Sequence, residues 1–224
     1  MVKRTRKDSR KQLARKTQRG KSLARRPATQ GKPFGKTQGR LTVIAGPMFA
    51  GKTTKLLTLF SVLSNLGYSI LCFKSEARKV NGMGHTKSHD ERPLPVIYIS
   101  MDEPEKILHY VGRDGIQKVI IDAIHFFPKV RFITVVKTLL ARGIDVYVNG
   151  VIYDYRKQEF GATKTLMKTA DDRLELYSIC VRCGGKAEHT ERISGGTAQS
   201  VGTVGTKKAE YIPVCFKHHR IYQG

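Results

Sequence analysis

The stretch LTVIAGPMFAGKTTKLL, residues 41–57, decides the fold. It begins with a short apolar run, passes through a glycine-containing loop and ends in apolar residues with helical spacing. Within it, Gly46–Thr53 fits the pattern G-x-x-x-x-G-K-[ST] of a phosphate-binding loop, and a strand before the loop with a helix after it is the context that this motif requires. The sequence therefore predicts a nucleotide-binding α/β domain.

The residue types of this loop match the chemistry of a bound triphosphate. Gly46 and Gly51 let the backbone turn its N–H groups toward phosphate oxygens, and the start of the following helix favours an anion. Lys52 is expected to reach the β- and γ-phosphates, and Thr53 to ligate Mg²⁺. A chance match to the motif in this context is improbable.

Downstream of the loop, apolar runs of strand length alternate with segments of helical periodicity, and residues 162–174 are expected to add a last helix. Such alternation predicts a parallel sheet with helices on both faces. The strand KVIIDA, residues 118–123, ends in Asp122. An aspartate at this place after a phosphate-binding loop normally orders the hydration shell of Mg²⁺. The alternative is a helix-capping or surface carboxylate.

A cluster of soft ligands near the C-terminus predicts a metal site. Two C-x-x-C/H pairs lie about thirty residues apart, and this spacing is typical of a closed, structural zinc centre with tetrahedral Cys₃His ligands. His219 competes with His218 as the fourth ligand, but the two-residue spacing of the first pair favours His218. The predicted ligands are Cys180, Cys183, Cys215 and His218.

The charge of the chain is extreme and uneven. The 224 residues carry a net charge of +23, and residues 1–40 hold 15 Lys/Arg against the single acid Asp8. This segment has too little apolar surface to fold alone, and we expect a disordered arm that binds RNA or DNA by counterion release. An Arg-rich organelle presequence is the competing interpretation.

The cysteine pattern and the apolar runs bear on localisation. Three of the four cysteines belong to the predicted metal site, and Cys72 lies in an apolar strand. This usage indicates a reducing, intracellular compartment, without distinguishing an organelle (mitochondrion or plastid) from the cytoplasm. The longest apolar runs fall short of the roughly 18 residues that a membrane-spanning helix needs, so no membrane is expected as a partner.

Taken together, these stretches resemble the thymidine kinase family of the tetrameric, zinc-containing type. The resemblance runs from about Gly39 to about His219. It is carried by GPMFAGKTT (46–54) for the P-loop, IDAIHFFP (121–128) where the family has D-E-x-[QH]-F-F, YRKQEFG (155–161) for a segment ending in F-G, CVRCGGKAEHTER (180–192) for C-x-x-C…A-x-x-T-x-R, and VGTVGTKKAEYIPVCFKHH (201–219) for the closing limb with C-x-x-H.

The resemblance implies a domain organisation and a set of site residues. Beyond the basic arm (1–40) that the charge pattern defines, it implies a P-loop α/β domain that binds ATP and Mg²⁺ (41–174), and a zinc-stabilised lasso domain that closes over the nucleoside (175–224). It also implies oligomers. By position, Gly51, Lys52, Thr53 and Thr54 would hold the triphosphate, and Met48, Phe126, Val151, Tyr155, Phe160 and Tyr211 would surround the nucleoside.

The sequence departs from the family at the residue that matters most for catalysis. The family's general base is the Glu directly after the Walker B Asp, and here that position is Ala123, which cannot accept a proton. Both natural loss and a deliberate substitution fit Ala123. The other departures are the loose counterpart Arg78, Ile152 in place of an Asp, Glu159 in place of a Pro, and the looser turn GTVG at 202–205.

These departures shape the functional expectation. Glu76, Asp90 and Glu159 are acids on nearby segments, but none is in a motif position that would replace the base. We expect a thymidine-kinase-like nucleotide-binding protein with impaired catalysis, anchored to RNA or DNA by its arm, as in a ribonucleoprotein such as an organellar ribosome. The alternatives are an active ATP:thymidine 5′-phosphotransferase with a basic tail, and a sensor that binds nucleotide without chemistry.

Overall fold

A computed structural model describes residues 38–76, 82–87, 93–112, 115–194 and 210–221, with the backbone alone for 82–87 and 93–94. Almost all of the basic arm, residues 1–37, lies outside the described residues. So do Arg78, Asp90 and the turn at 202–205.

A seven-stranded sheet forms the centre of the fold. Its strand order is β3-β4-β2-β5-β6-β1-β7, and every neighbouring pair is parallel except β3 with β4. The strands are β1 (Leu41–Ala45), β2 (Ile70–Glu76), β3 (Gly82–Lys87), β4 (Pro93–Ser100), β5 (Lys118–Asp122), β6 (Asp145–Gly150) and β7 (Asp172–Glu175).

Helices cover both faces of this sheet, which confirms the predicted α/β class. Alternate residues of β1 point to opposite faces, so Val43 belongs to one buried cluster and Ile44 to the other. The cluster around Ile44 is closed by one helix, and the cluster around Val43 by the other three. The helices are α1 (Lys52–Asn65), α2 (Lys106–Val111), α3 (Lys129–Ala141) and α4 (Thr163–Thr169).

The segment 162–174 differs from its sequence-based prediction. Helix α4 ends at Thr169, and the chain then extends as β7, which pairs in parallel with β1. This mostly exposed strand is the last in the strand order, so it lies at the edge of the sheet. Four residues with mixed polarity carry too weak a period-2 signal to be separated from the end of a helix.

The C-terminal part is a small unit of two antiparallel pairs. Its buried apolar cluster consists of Cys180, Ala187 and Val214. Such a small core normally needs a metal or a disulfide to be stable. Its elements are β8 (Ser178–Ile179) with β9 (Lys186–Ala187), β10 (His189–Ser194) with β11 (Glu210–Val214), and a 3₁₀ helix, Phe216–His218.

Among the described residues, none of the helices is both long and apolar enough to cross a membrane.

Candidate nucleotide and metal sites

The phosphate-binding loop lies between β1 and α1, at the carboxyl edge of the parallel sheet. Gly51 adopts a left-handed conformation with φ of 77°, which glycine accommodates without a steric cost, and Lys52 begins the helix. The Lys52 ammonium donates to the Pro47 carbonyl at 2.6 Å. Burial lowers the pKa of Lys52 to about 8, against the opposing effect of Asp122.

Asp122, the last residue of β5, is only 3% exposed. One carboxylate oxygen lies 3.4 Å from the Thr53 hydroxyl, and the other lies 3.4 Å from the Lys74 ammonium. The fold therefore brings together the two residues that the sequence predicts near magnesium, although they are 69 positions apart in the chain.

Ala123 follows directly and has an unusual backbone. Its φ of 60° and ψ of 44° lie in the left-handed region, which costs an ordinary residue about 1–2 kcal/mol. Its N–H donates to Asn149 Oδ1 at 2.9 Å, and its carbonyl accepts from the Ser75 hydroxyl at 2.8 Å. Both partners are buried side chains on neighbouring strands. They hold the turn that would carry the family's general base, but the side chain there is a methyl group.

Two of the candidate replacement acids, Glu76 and Glu159, lie in the described part of the chain. Glu159 is engaged by Lys164 at 2.6 Å, and its carboxylate is about half exposed. That ion pair lowers the pKa of Glu159, since the hydrogen bond from Lys164 favours the charged form. Glu76 is the last residue of β2.

An aromatic cluster packs behind the turn. The rings of Phe126 and Phe160 meet edge to face at 5.7 Å, and His125 lies between them at 4.2 and 5.2 Å. A Cβ on Gly161, whose φ is 65°, would lie 2.4 Å from the His125 carbonyl oxygen, so only glycine fits this approach. Burial, with a smaller contribution from Lys52, lowers the pKa of His125 to about 3. The ring is therefore neutral, and its Nδ1 accepts from the backbone N–H of Val151 at 3.3 Å.

The remaining residues of the expected nucleoside pocket lie toward the C-terminal unit. The rings of Tyr155 and Tyr211 are 6.5 Å apart, and Tyr155 is buried. The backbone N–H of Met48 donates to the Thr190 hydroxyl at 3.0 Å, which fastens the phosphate-binding loop to β10.

A cavity of about 260 Å³ lies beside the phosphate-binding loop. Of the six expected nucleoside residues, Val151 alone is in its lining within the described part of the chain. The other lining residues are Gly46, Pro47, Ile152, Tyr153, Glu175, Leu176, Tyr177, Glu188, His189 and Thr190.

The four predicted metal ligands converge. The ligand atoms of Cys180, Cys183, Cys215 and His218 all lie within 4.8 Å of one another. The Cys183–Cys215 sulfur atoms are 3.9 Å apart, and His218 Nδ1 lies 3.7 and 3.3 Å from the sulfurs of Cys180 and Cys215. With Zn–S bonds of about 2.3 Å and Zn–N bonds of about 2.0–2.1 Å, a tetrahedral site has edges of roughly 3.5–3.8 Å. The group therefore has the size to hold zinc.

Two further observations fit a metal centre. Desolvation raises the pKa of Cys180, but hydrogen bonds, first from the backbone of Cys215, lower it to about 6, so the thiolate form is favoured at neutral pH. His219, the competing fourth ligand, faces elsewhere and contacts the Tyr155 carbonyl through Nε2 at 2.9 Å.

Sequence reasoning missed Ser75 and Asn149, which hold the Ala123 turn. They lie 48 and 26 positions from Ala123, and neither belongs to a motif. Asn149 is the penultimate residue of β6, at the carboxyl edge where ligands bind in α/β sheets. That location was the one sequence signal that could have marked it as a site residue.

The comparison with known proteins agrees with this geometry. The family model for thymidine kinase matches residues 39–219. The chain belongs to the thymidine kinase family. It is 36% identical over 187 residues to a thymidine kinase of Aster yellows witches'-broom phytoplasma (strain AYWB), covering 81% of this chain and 87% of the relative.

More distant thymidine kinases match over a similar span. A thymidine kinase of Ureaplasma urealyticum is 32% identical over 196 residues, covering 84% of this chain and 86% of the relative. One from Pseudothermotoga lettingae is 26% identical over 178 residues, covering 79% and 92%. The family match begins at residue 39, so residues 1–38 of the basic arm lie outside it.

Proposed function

We propose that this protein is a thymidine-kinase-like nucleotide-binding protein that transfers phosphate poorly and is held on RNA by its basic arm. The observation that carries the proposal is Ala123 at the end of β5. The turn around it keeps two backbone hydrogen bonds, at 2.9 and 2.8 Å, while the side chain cannot take a proton. The proposal thus separates nucleotide binding from turnover.

The chain retains the residues for nucleotide binding. Magnesium, when bound, would neutralise charge on the β- and γ-phosphates. Asp122 would order its hydration shell, and the Thr53 hydroxyl would ligate it. The Lys52 ammonium, in place of its present contact with Pro47, would bind the phosphates. The triphosphate would be held by Gly46, Gly51, Lys52, Thr53 and Thr54.

The acceptor nucleoside and the metal are assigned to two neighbouring groups of residues. Proximity of Tyr155 to Tyr211, and of Phe126 to Phe160, supports an aromatic nucleoside pocket closed by the C-terminal unit. The pocket would consist of Met48, Phe126, Val151, Tyr155, Phe160 and Tyr211. A structural zinc would be held by Cys180, Cys183, Cys215 and His218.

The missing base accounts for weak catalysis. In phosphoryl transfer to a 5′-hydroxyl, a positioned base removes the proton as the oxygen attacks, and general-base assistance typically contributes roughly 10²–10⁴-fold. Positioning and charge stabilisation remain, so a low residual rate is expected rather than none.

Binding and turnover measured on the same preparation test this proposal. We expect magnesium-dependent ATP binding together with thymidine phosphorylation well below one turnover per second, because typical enzymes turn over at roughly 1–10³ s⁻¹. Turnover in that typical range would instead establish the alternative function, an ATP:thymidine 5′-phosphotransferase. Binding of neither ATP nor thymidine would contradict both functions.

The RNA component rests on the charge of the arm. Residues 1–40 carry 15 Lys/Arg and one acid, more than solubility requires, and a small-molecule kinase has no need of a polycation. Neutralising phosphates releases counterions, so the affinity for RNA should fall steeply with salt. A ribonucleoprotein, such as an organellar ribosome, is the kind of assembly that this chemistry fits.

A matched-length variant separates the arm from the folded part. In it, every Lys and Arg of residues 1–37 is replaced by Gln. We expect the plot of log affinity for RNA against log salt concentration to be steep for the natural chain and shallow for the variant. Equal slopes would place the interaction outside the arm and contradict the proposed anchor.

A further inference from the structure

Three consecutive residues of β10 are buried, although successive residues of a strand normally point to opposite faces. Thr190, Glu191 and Arg192 are 6%, 4% and 2% exposed. Thr190 accepts the Met48 N–H of the phosphate-binding loop, and the Arg192 guanidinium lies 5.5 Å from the centre of the Tyr155 ring. Glu191, between them, faces the metal group.

Glu191 contacts both segments that carry the candidate metal ligands: the first limb, with Cys180 and Cys183, and the second limb, with Cys215 and His218. Its two oxygens accept from the Arg182 guanidinium at 2.5 and 2.8 Å, and Oε2 also accepts the backbone N–H of Arg220 at 2.7 Å. Arg182 in turn donates to the backbone carbonyl of His218.

The partners of Glu191 belong to both ligand-bearing segments. Arg182 lies between the ligands Cys180 and Cys183, so it belongs to the first limb. The His218 carbonyl and the Arg220 N–H belong to the second limb, immediately at and after the last ligand. A single buried carboxylate therefore links two chain segments that also meet at the four candidate ligands and through a hydrogen bond from the Val181 N–H to the Pro213 carbonyl.

We propose that Glu191 is a positioning residue for the metal centre, which holds the two ligand pairs at their binding distance through Arg182 and the backbone of the second limb. Neither Glu191 nor Arg182 occupies a fixed position of C-x-x-C or A-x-x-T-x-R, so the device is separate from the ligand motif. It rests on the proposed assignment of the four ligands.

Zinc affinity of the full chain tests this role. Outer residues that orient metal ligands typically contribute 10–100-fold to metal affinity. We expect Glu191→Gln to lower zinc affinity by that factor, measured by competition with a chromophoric chelator. Glu188→Gln is the matched control, because Glu188 is a half-exposed acid on the same segment that pairs with Lys186 at 2.8 Å. The control should bind zinc as the natural chain does.

Replacing zinc by Co²⁺ gives a spectrum that depends on the arrangement of the ligands and is not changed by a general loss of stability. In the Co²⁺-loaded protein, the ligand-field bands report the geometry of the four ligands. We expect Glu191→Gln to shift or weaken these bands at saturating Co²⁺, and Glu188→Gln to leave them unchanged. Unchanged bands and an affinity within twofold of the natural chain would overturn the inference.

A double-mutant cycle with Arg182→Gln checks that the two residues act together. Because one contact joins them, the double variant should lose little more affinity than either single variant. Losses that multiply would overturn the proposed link, and Arg182→Gln alone supplies the test where Glu191→Gln does not fold. A natural chain without zinc affinity would overturn the ligand assignment itself, whereas tight zinc in an unaffected Glu191→Gln variant overturns the positioning role alone.

Discussion

Ala123 combines a left-handed backbone with the smallest side chain that has a Cβ. Its φ of 60° is held by Asn149 and Ser75, so the turn does not depend on what the side chain at 123 does. The resemblance to the family places a general base at this position. This chain has the turn with a methyl group in place of a carboxylate.

Replacing Ala123 by glycine tests the strain in this turn. Glycine adopts positive φ freely, and relief of about 1–2 kcal/mol of strain outweighs its extra entropy in the unfolded chain of about 0.4–1 kcal/mol. We expect Ala123→Gly to be neutral or to stabilise the protein by up to about 1 kcal/mol in denaturant unfolding. The control is Ala141→Gly in the last turn of α3, which should destabilise. Equal destabilisation by both substitutions would show that the turn is unstrained.

For individual residues, the sequence predicts which ones are candidates for the site better than it predicts which side chains contact each other. Lys52, Thr53 and Asp122 follow from a motif, because phosphate and magnesium chemistry fixes both residue type and spacing. The contacts of Ala123 with Ser75 and Asn149 do not follow, since they depend on which strands become neighbours. The structure also gives His219 a backbone partner, a role that spacing alone cannot separate from ligation.

The phosphate-binding loop and the helix after it act as one element. The partly buried Lys52 at the start of α1 contacts the loop through the Pro47 carbonyl, whereas Lys55, one turn onward in sequence, is exposed. Both have the same charge, so they differ in position rather than in chemistry.

Two lysine variants test this element. We expect Lys52→Ala to weaken magnesium-dependent ATP binding by at least tenfold, because the loop loses the charge closest to the phosphates, and Lys55→Ala to change it less than twofold. Isothermal titration of each variant measures the difference. Equal loss in both would indicate a diffuse charge effect instead of a specific phosphate site.

The sequence predicted the central strands, which have apolar runs, but not the short strand at the edge of the sheet. The strands β1, β5 and β6 have apolar centres, at Val43–Ala45, Val119–Ile121 and Val146–Val148, because both faces of the sheet are covered there. The edge strand β7 lacks that pattern, and its pairing with β1 depends on the tertiary fold. The helix expected over 162–174 was for this reason too long.

In the described part of the chain, a large sheet with its helices is followed by a C-terminal unit with a minimal core. Two buried clusters stabilise the sheet, whereas Cys180, Ala187 and Val214 form the core of the smaller unit. The sequence predicted that Cys180, Cys183, Cys215 and His218 converge, since C-x-x-C and C-x-x-H have a recognisable spacing, and the four side chains do lie together. It did not predict Glu191, whose partners lie 9 and 29 positions away.

A pair of cysteine variants tests this division. We expect one zinc per natural chain, loss of that zinc in Cys183→Ala, and retention of it in Cys72→Ala, because Cys72 packs in the sheet domain instead. Metal analysis after gel filtration measures the content. Since metal binding contributes folding free energy, Cys183→Ala should also melt at a lower temperature than the natural chain with zinc. A metal-free natural protein would contradict the assignment.

The central claim, that binding is retained and the base alone is missing, is tested most directly by thymidine phosphorylation in Ala123→Glu. The control is Ala123→Gln, which matches the glutamate in size but cannot act as a base. We expect the glutamate variant to exceed both the natural chain and the glutamine variant by roughly 10²–10⁴-fold in kcat, with similar KM for ATP. Equal rates in all three proteins, or rapid turnover by the natural chain, would contradict this account.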